Sequence, residues 1–571
     1  MAQDSPRASE VKPAPDAFAR RLRLERQLRW LAAALSGLLL ALCFPNPAWS
    51  GLTWFAPGLL WLAVLGTPVR QAFQLGCLSG AVTALIALRW LLNIPFPAGA
   101  VAGWLALSAY LSLFAGTWAM WVSLTLRGGE FASWRDAASE FCGRGWLRRA
   151  GWVMSAAAGW VALEMIQARL ITGFPWNGLG VAHWRNGPMI QIASVTGVYG
   201  VSFLVCWCSL ALASAALLVF FRPAMRFAWM AEGRFPLVVL LILVGWGFNR
   251  MMSSARSESP GRNFTMALVQ PSIPQQLIWN DAASPERFEK ALRLSAQALA
   301  TRPDVLVWPE GFLPAFSESQ LAEMTKLVGT ANAWWIFGAD DADSGPDGRQ
   351  NVYNAAVLAS PSARFEAVYR KRHLVLFGEH LPGVRYFPFL KSLIPIGDGF
   401  TPGAAAVPFS VPTKDGAAVV LSPVICFEDV FPHLTREQVL PRTDLLLELT
   451  NDGWFGESGA QWQHCANAAF RAVENGVPLV RCANNGITCW IDAHGRLRDV
   501  AGGERGDVYG AGFLRIQVAL PASAAERDQT WYHENGDVFG WSCVALAAWL
   551  AARSGVPRLM QRIQARAAAK S

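Results

Sequence analysis

Residues 418 to 428 read Ala418-Val419-Val420-Leu421-Ser422-Pro423-Val424-Ile425-Cys426-Phe427-Glu428. The apolar run Ala418 to Leu421 predicts a buried strand, because short β-branched runs are typical of strands in a sheet core. Cys426 then stands at the turn that leaves this strand. A cysteine in such a place is most often inert core, but the backbone amides after it could form an oxyanion pocket at the start of a helix.

Runs of the same kind recur between residues 264 and 516 and alternate with helical patterns. This alternation predicts an α/β layered domain with its chemistry at the strand ends. The other predicted strands are Phe264 to Val269, Val305 to Val307, Trp335 to Ala339, Asn354 to Leu358, Leu445 to Leu449 and Leu479 to Cys482.

Two more polar signals follow predicted strands. Pro309 prevents the strand before it from continuing, so Glu310 is presented just past the edge of the sheet. Lys371 lies in a run of three basic residues, and Glu379 follows closely enough to hold its ammonium. The ordinary interpretations are a surface carboxylate and a solvated basic loop.

The combination is chemically more informative than any one of these residues. A thiol nucleophile needs a base for its proton, which Glu310 can supply, and acyl transfer needs positive charge at the tetrahedral oxyanion, which Lys371 can supply. With Cys426, these residues predict acyl chemistry that requires no histidine.

The rest of the chain is too apolar for an ordinary soluble enzyme, since 53% of the 571 residues are hydrophobic and 16% are charged. The apolar excess fills residues 31 to 248, where it predicts membrane spans. The predicted spans are Leu31 to Phe44, Leu52 to Leu65, Ala72 to Leu92, Val101 to Leu124, Trp152 to Leu170, Ile190 to Phe221 and Leu237 to Phe248, with an eighth at Phe539 to Ala552.

Basic residues in the amino-terminal tail, in alternate connections and in the carboxyl-terminal tail predict which ends are cytoplasmic. The globular part then lies on the opposite side. The alternative for the first span is a cleaved signal peptide. The predicted divisions are a cytoplasmic tail (1–29), a membrane domain (30–249), a catalytic domain (250–538), an eighth span (539–553) and a second cytoplasmic tail (554–571).

Other features restrict the function. The net charge of +8 lies mainly beside apolar runs, so membrane topology explains it better than nucleic acid does. Ten cysteines without a CxxC pair indicate neither a disulfide scaffold nor a zinc site. Glu164 and Arg169, near the outer end of the fifth span, are interpreted either as an interfacial pair that anchors the helix or as part of a lipid headgroup pocket.

The motifs resemble known families. The order WPE (308–310), YRKRHL (369–374), FGE (377–379) and CFE (426–428) resembles the nitrilase superfamily. Further motifs are similar to those of the apolipoprotein N-acyltransferase family over nearly the whole chain: Gln270-Pro271-Ser272-Ile273-Pro274-Gln275 with Trp279, Thr450-Asn451-Asp452-Gly453-Trp454-Phe455-Gly456, Asn484-Asn485-Gly486-Ile487-Thr488, and Trp160, Glu164 and Arg169 before Gly173-Phe174-Pro175-Trp176.

This resemblance implies an αββα sandwich beside a multi-span helical membrane domain. It also implies that Cys426 is the nucleophile, Glu310 the general base and Lys371 the stabiliser of the tetrahedral intermediate, while Glu379 orients Lys371 or assists the incoming amine. Supporting positions around the site are Trp279, Phe427, Glu428 and Phe455.

Two residues depart from the family pattern. Phe427 stands where a tyrosine often follows the cysteine, so a hydroxyl is missing there. Leu376 replaces the usual proline before Phe377, which should alter only the stiffness of the loop.

The implied activity is a ping-pong transfer of a fatty acyl chain through a Cys426 thioester. The donor would be a membrane phospholipid and the acceptor the α-amine of the diacylglyceryl-cysteine of apolipoproteins, at the bacterial inner membrane with the catalytic domain in the periplasm and without a cofactor. Two alternatives remain open: a membrane-anchored amidase or nitrilase, and a transporter or lipoprotein-binding scaffold. Against the latter, no pair of spans is interrupted in the manner of repeat-built transporters.

Overall fold

The structure is a computed structural model that describes residues 15–126, 131, 133–224, 226–256, 261–278, 280–311, 313, 315–345, 348, 350–381, 399–413, 416–502, 509–523, 527 and 529–568. The helices that precede the first strand are α1 Pro15–Cys43, α2 Ala56–Val64, α3 Val69–Ala87, α4 Pro97–Leu126, α5 Trp134–Gly143, α6 Trp146–Gln167, α7 Gly187–Ile190, α8 Ala193–Thr196, α9 Val198–Phe221 and α10 Arg226–Arg256.

The later helices are α11 Gln275–Ile278, α12 Ser284–Leu299, α13 Glu318–Ala331, α14 Pro432–Gln438, α15 Ala460–Asn475, α16 Trp531–Asn535 and α17 Val538–Ala568. The strands are β1 Arg262–Gln270, β2 Val305–Val307, β3 Trp334–Ser344, β4 Gln350–Ala359, β5 Phe365–Arg370, β6 Phe409–Pro412, β7 Ala418–Ile425, β8 Leu445–Thr450, β9 Leu479–Ala483, β10 Cys489–Ile491, β11 Leu497–Val500 and β12 Gly512–Leu520.

Within the described residues the strands form two six-stranded sheets, in the orders β12-β1-β2-β3-β4-β5 and β11-β10-β9-β8-β7-β6. Strands β1, β2 and β3 run parallel, as do β7, β8 and β9, while the outer strands of each sheet are antiparallel. Parallel strands covered on both faces are mainly apolar, and every residue of β2 and β8 is buried, including the polar Glu448 and Thr450 of β8.

The two sheets face each other across one apolar core. Side chains such as Leu268 and Ile336 of the first sheet pack there with Leu421 and Leu447 of the second. Helices α12 and α13 cover the outer face of the first sheet. Helix α15 covers the second, so the predicted αββα sandwich is confirmed.

Helix α15 also joins the sandwich to the helices before it. Its Ala469 and Val473 belong to the same buried cluster as Ile190 and Leu204 of the membrane part. The side chain of Gln463 makes the polar part of this junction: Oε1 accepts hydrogen bonds from Trp90 Nε1 (3.0 Å) and Trp176 Nε1 (2.8 Å). The αββα sandwich and the helices before it are therefore joined by a shared apolar core.

The described part of the chain has four helices long and apolar enough to cross a membrane, namely Arg20–Cys43, Pro97–Thr125, Val198–Phe221 and Trp229–Ser253. The last of these exposes large apolar side chains, among them Leu241 (60%) and Ile242 (64%). Exposed apolar surface of this extent is stable only against another apolar phase. The number of spans and the divisions between them stay predictions.

All the strands predicted from sequence are present: β2 has the predicted bounds, and the others extend further by one or more residues. Strands β5, β6, β10, β11 and β12 were not predicted. The predicted sixth span is shorter than expected, because α9 begins at Val198 after Gly197, whose φ of +66° ends the short helix α8.

The predicted interfacial pair between Glu164 and Arg169 is wrong. Arg169 forms an ion pair with Asp537 at the start of the last helix. Glu164 accepts hydrogen bonds from Trp160 Nε1 (3.0 Å) and the Leu179 amide (2.8 Å). Helix α6 ends at Gln167 and Arg169 has a non-helical φ of −134°, so the two side chains do not share a helix face and each contacts a different segment.

Candidate active site

Glu310 follows β2 after Trp308 and Pro309, and both of its carboxylate oxygens are hydrogen-bonded. Its Oε1 accepts from Asn354 Nδ2 (2.8 Å), and its Oε2 accepts from the Asn451 amide (3.0 Å). Gly338 of β3 makes room for this turn, since a Cβ there would lie 2.8 Å from the Glu310 Cα. Glu310 is buried, with 8% of its surface exposed.

Lys371 directly follows β5 and lies between two carboxylates. Its Nζ is 3.3 Å from Glu310 Oε1 and 2.8 Å from Glu379 Oε1. Glu379 is itself oriented by Asn354 Nδ2 (2.9 Å) and the Val375 amide (2.9 Å). With 1% exposure, the ammonium has protein partners in place of bulk water.

Cys426 directly follows β7 and has a φ of +51°. This left-handed conformation is unfavourable for a residue with a Cβ and persists only where the surroundings enforce it. The residues from Cys426 to Val430 form a 3-10 helical turn, so backbone amides follow the thiol closely, as the sequence predicted. All ten cysteines are free, including this one.

The pKa values of Cys426, Glu310 and Lys371 depend on one another. Burial raises the pKa of the Cys426 thiol well above its ordinary value, Glu310 raises it further, and Lys371 opposes the shift. Burial also raises the pKa of Glu310, against the effect of Lys371. Burial opposes the charge on Lys371, but Glu310 and Glu379 outweigh it and raise the pKa of Lys371 well above its ordinary value. The site therefore rests with a neutral thiol beside a fixed ammonium.

Glu428 connects the turn of Cys426 to the turn of Lys371. Its Oε2 accepts from the Ile425 amide (2.8 Å), and its Oε1 accepts from the amides of Arg372 (2.6 Å) and His373 (3.1 Å). One buried carboxylate thus bonds to the backbone on the carboxyl side of Lys371 and on the amino side of Cys426. This fixes the two turns relative to each other.

An aromatic wall, defined here as Phe174, Trp176, Phe427 and Phe455, lies beside Cys426. The ring of Phe427 is stacked on Trp176 (6.0 Å between centroids) and is 5.8 Å from Phe174. Phe455 meets Trp176 edge to face at 6.5 Å. Phe427 and Phe455 were both predicted as supporting residues, and the structure brings them together with residues of the membrane part.

Beyond this wall lies a cavity of about 130 Å³ between α1, α3, α4 and α6. Its lining is mainly apolar, with Phe174 on the side of the wall, and includes the polar side chains of Glu164, Gln167 and Asn177. An apolar cavity of this kind suits part of a hydrocarbon chain.

A second group of buried charged side chains lies under the Cys426 turn. Ligand atoms of Asp429, Glu448 and His464 lie within 4.8 Å of one another, which would suit a metal ion. However, Arg481 Nη1 is 2.9 Å from Asp429 Oδ2 and 2.5 Å from Glu448 Oε2. The guanidinium supplies the cation of this group, and the donor set does not fit a metal.

The structure brings Glu310, Lys371 and Glu379 into direct contact, with Cys426 within electrostatic range of the first two. Trp279 lies outside the described residues. Sequence reasoning missed Asn354, which orients both carboxylates. The available signal was an asparagine inside an apolar strand, where asparagine is disfavoured.

Comparison with known proteins gives matches to both parts. Residues 36–211 match the family model "Apolipoprotein N-acyltransferase N-terminal domain", and residues 265–510 match the model "Carbon-nitrogen hydrolase". The apolipoprotein N-acyltransferase of Geobacter metallireducens is 35% identical over 539 residues, which cover 92% of this chain and 94% of the relative. That of Caulobacter vibrioides is 29% identical, with 94% and 97% covered.

Among solved structures, Saccharomyces cerevisiae Nit3, a member of branch 10 of the nitrilase superfamily, matches 45% of this chain and 90% of its own length at 17% identity and a TM-score of 0.32. The sequence relatives match over nearly their full length, and both parts of the chain match family models. The chain therefore belongs to the apolipoprotein N-acyltransferase family and is an acyltransferase with a carbon-nitrogen hydrolase domain.

Proposed function

We propose that the chain moves a fatty acyl group from a membrane phospholipid to the α-amine of the diacylglyceryl-cysteine of apolipoproteins, through a thioester on Cys426. The observation that carries this proposal is the grouping of Cys426 with the paired Glu310 and Lys371, next to an aromatic wall that includes Phe427 and, through Phe174, borders an apolar cavity.

In the first half-reaction, Glu310 takes the thiol proton as the Cys426 sulfur bonds to the carbonyl carbon of the phospholipid ester. The carbonyl oxygen becomes an oxyanion, which the Lys371 ammonium and a backbone amide after Cys426 stabilise. When the intermediate collapses, the ester carbon-oxygen bond breaks. Lysophospholipid leaves with the proton from Glu310, and the acyl chain remains on sulfur.

In the second half-reaction, the acceptor amine attacks the thioester and gives a proton to Glu310. The carbon-sulfur bond breaks, the thiolate regains that proton, and an amide is formed. Glu379 keeps Lys371 in place while each of the two oxyanions forms, which the 2.8 Å contact between Lys371 Nζ and Glu379 Oε1 supports, or it assists the amine. The raised pKa of Glu310 suits a group that must accept and return a proton in each half-reaction.

The lipid nature of the substrates is supported by the membrane part. The cavity beyond the aromatic wall would take part of the acyl chain, and exclusion of water there would protect the thioester from hydrolysis. Trp279, Glu428 and Phe455 would shape acyl or headgroup access. In this proposal the protein spans the bacterial inner membrane with its catalytic domain in the periplasm, where both lipid substrates are concentrated.

The proposal is tested by the mass of a model lipoprotein's amino terminus after incubation with the purified protein in phospholipid vesicles. We expect the wild type to add one fatty acyl chain and Cys426→Ala to add none. Cys77→Ala, which changes a thiol of the membrane part, is the matched control and should retain the activity. Acylation by Cys426→Ala, or release of ammonia from a soluble amide without lipid, would contradict the proposal.

A further inference from the structure

His464 of α15 lies between two carboxylates directly under the nucleophile turn. Its Nδ1 is 2.8 Å from Asp452 Oδ1, and its Nε2 is 2.8 Å from Asp429 Oδ1. Both ring nitrogens must carry a proton to donate to both carboxylates. Burial opposes this charge, but Asp429 and Asp452 raise the pKa of His464 well above its ordinary value. The ring is therefore an imidazolium with two fixed donors.

The Nε2 donor has a second acceptor. It lies 3.3 Å from the carbonyl oxygen of Cys426, so its N–H is shared between this oxygen and Asp429. The left-handed φ of Cys426 requires such external support. Glu428 holds the amide of Ile425 before the turn, and His464 holds the carbonyl after it.

This contact has a consequence for the oxyanion. In a trans peptide the C=O and the following N–H point in opposite directions. A Cys426 carbonyl held toward His464 therefore turns the Phe427 N–H away from the buried cluster. That N–H is the first backbone donor after the thiol, the kind of group that stabilises an oxyanion on the carbon bonded to the sulfur.

The ring itself has little freedom. Trp176 of the membrane part lies against it, with 5.1 Å between the ring centroids. Arg481 donates to Asp429 (2.9 Å) on the opposite side of the cluster and so fixes one of the ring's two acceptors. A fixed imidazolium can impose a direction on the peptide that it holds.

We propose that His464 is a positioning residue of the acyl transfer, which holds the Cys426 carbonyl and thereby aims the Phe427 amide at the oxyanion. This inference rests on the proposed function, because it takes Cys426 as the nucleophile. The aromatic contact with Trp176 also places a segment of the membrane part against His464, the residue that orients the nucleophile turn.

Two reactions of the same thiol test this role. Acylation by a phospholipid or a p-nitrophenyl ester passes through an oxyanion, whereas alkylation by iodoacetamide does not. The ratio of the two rate constants at Cys426 therefore reports oxyanion stabilisation, and a general loss of structure or of thiol exposure lowers both rates together. The measurement uses the full chain, isolated as a monodisperse peak in detergent.

The matched variants are His464→Asn and His464→Gln. The asparagine amide reaches the position of Nδ1 only, while the glutamine amide reaches that of Nε2 and can still donate to the Cys426 carbonyl. We expect His464→Asn to lower the ratio of acylation to alkylation by about 10- to 100-fold, somewhat less than the removal of a direct oxyanion donor. His464→Gln should restore most of the ratio.

His183→Asn is the control, because His183 is equally buried and makes hydrogen bonds to Thr53 (2.8 Å) and Asn186 (2.8 Å) in the membrane part. The ratio of acylation to alkylation at Cys426 in the His183→Asn variant should equal that of the wild type. An equal fall of both reactions in His464→Asn, or equal ratios for the asparagine and glutamine variants, would overturn the role of His464. Absence of any acylation of Cys426 in the wild type would instead overturn the proposed function.

Discussion

Two buried clusters of charge flank the Cys426 turn, and they differ in balance. The catalytic cluster, named for the role proposed for it, has two carboxylates and one ammonium: Glu310, Glu379 and Lys371. The support cluster has three carboxylates and two cations: Asp429, Glu448, Asp452, His464 and Arg481. In each, the carboxylates exceed the cations by one.

The two clusters differ in which of their carboxyl groups has a raised pKa. Burial raises the pKa of Glu448 well above its ordinary value against the effect of Arg481, so the support cluster holds one carboxyl as the neutral acid and its charges balance. In the catalytic cluster the raised pKa belongs to Glu310, which lies beside the thiol. The raised pKa therefore lies on a carboxyl paired with Arg481 in the support cluster, and on a carboxyl that interacts with the proposed nucleophile in the other cluster. This difference supports a structural role for the support cluster and a catalytic role for the cluster that contains Glu310.

The largest expected effect is that of Glu310→Gln, which removes the group that exchanges the proton. Acylation of Cys426 should fall by about 10²- to 10⁴-fold, the usual contribution of a general base. Because the base works only when ionised, the wild-type rate should rise with pH through the raised pKa of Glu310, and the variant should lose that rise. The measurement is the acylation rate against pH, with the exposed Glu323→Gln as control.

Lys371→Met should lower acylation by about 10²- to 10³-fold, because an oxyanion then forms without its ammonium. It also leaves Glu310 and Glu379 without a cation, which should raise the pKa of Glu310 further and shift the pH dependence upward. Lys326→Met, on the exposed face of α13, is the matched control and should behave as the wild type. An unchanged acylation rate in the Lys371 variant would show that Lys371 does not stabilise the oxyanion.

Arg481→Leu tests the support cluster. Removal of one partner of a buried ion pair typically costs about 3–5 kcal/mol, because it leaves an uncompensated buried charge. Thermal unfolding should therefore occur at a clearly lower temperature. The control is Arg293→Leu, which breaks an exposed pair with Glu289 (2.9 Å) and should cost less than about 1 kcal/mol. Equal stability of the two variants would contradict the structural role of the support cluster.

The smallest effect is expected at the cavity. Leu111→Trp should fill part of it and reduce acylation from long-chain donors by about tenfold relative to short-chain donors, since each methylene left in water costs about 0.8 kcal/mol. Leu113→Trp lies on the exposed side of the same helix and serves as the control. The readout is donor competition between two acyl chain lengths, and the same preference in both variants would show that the chain lies elsewhere.

The sequence predicted those features that local pattern determines. The apolar runs of β1, β2 and β7 to β9 predicted the core of both sheets, and the turns after β2, β5 and β7 predicted Glu310, Lys371 and Cys426 as a group. Strands β5 and β12 were not predicted from the sequence, because they are edge strands of mixed polarity and lack a continuous apolar run.

Other features depend on contacts that no local pattern reveals. Asn354 reaches Glu310 across 44 residues of sequence, and His464 reaches the Cys426 carbonyl across 38. Arg169 pairs with Asp537 rather than with nearby Glu164, at a sequence separation of 368 residues. The tertiary structure determines which strand and helix ends come together, and therefore which residues become such partners.

The acyl-enzyme on Cys426 is tested by mass analysis of the peptide that carries this residue, after incubation of the protein with phospholipid vesicles and no acceptor. We expect one fatty acyl group on that peptide, which hydroxylamine removes as a thioester and which is transferred when an acceptor amine is added. An acyl group on a different residue, or amine acylation without any acylated Cys426, would contradict it.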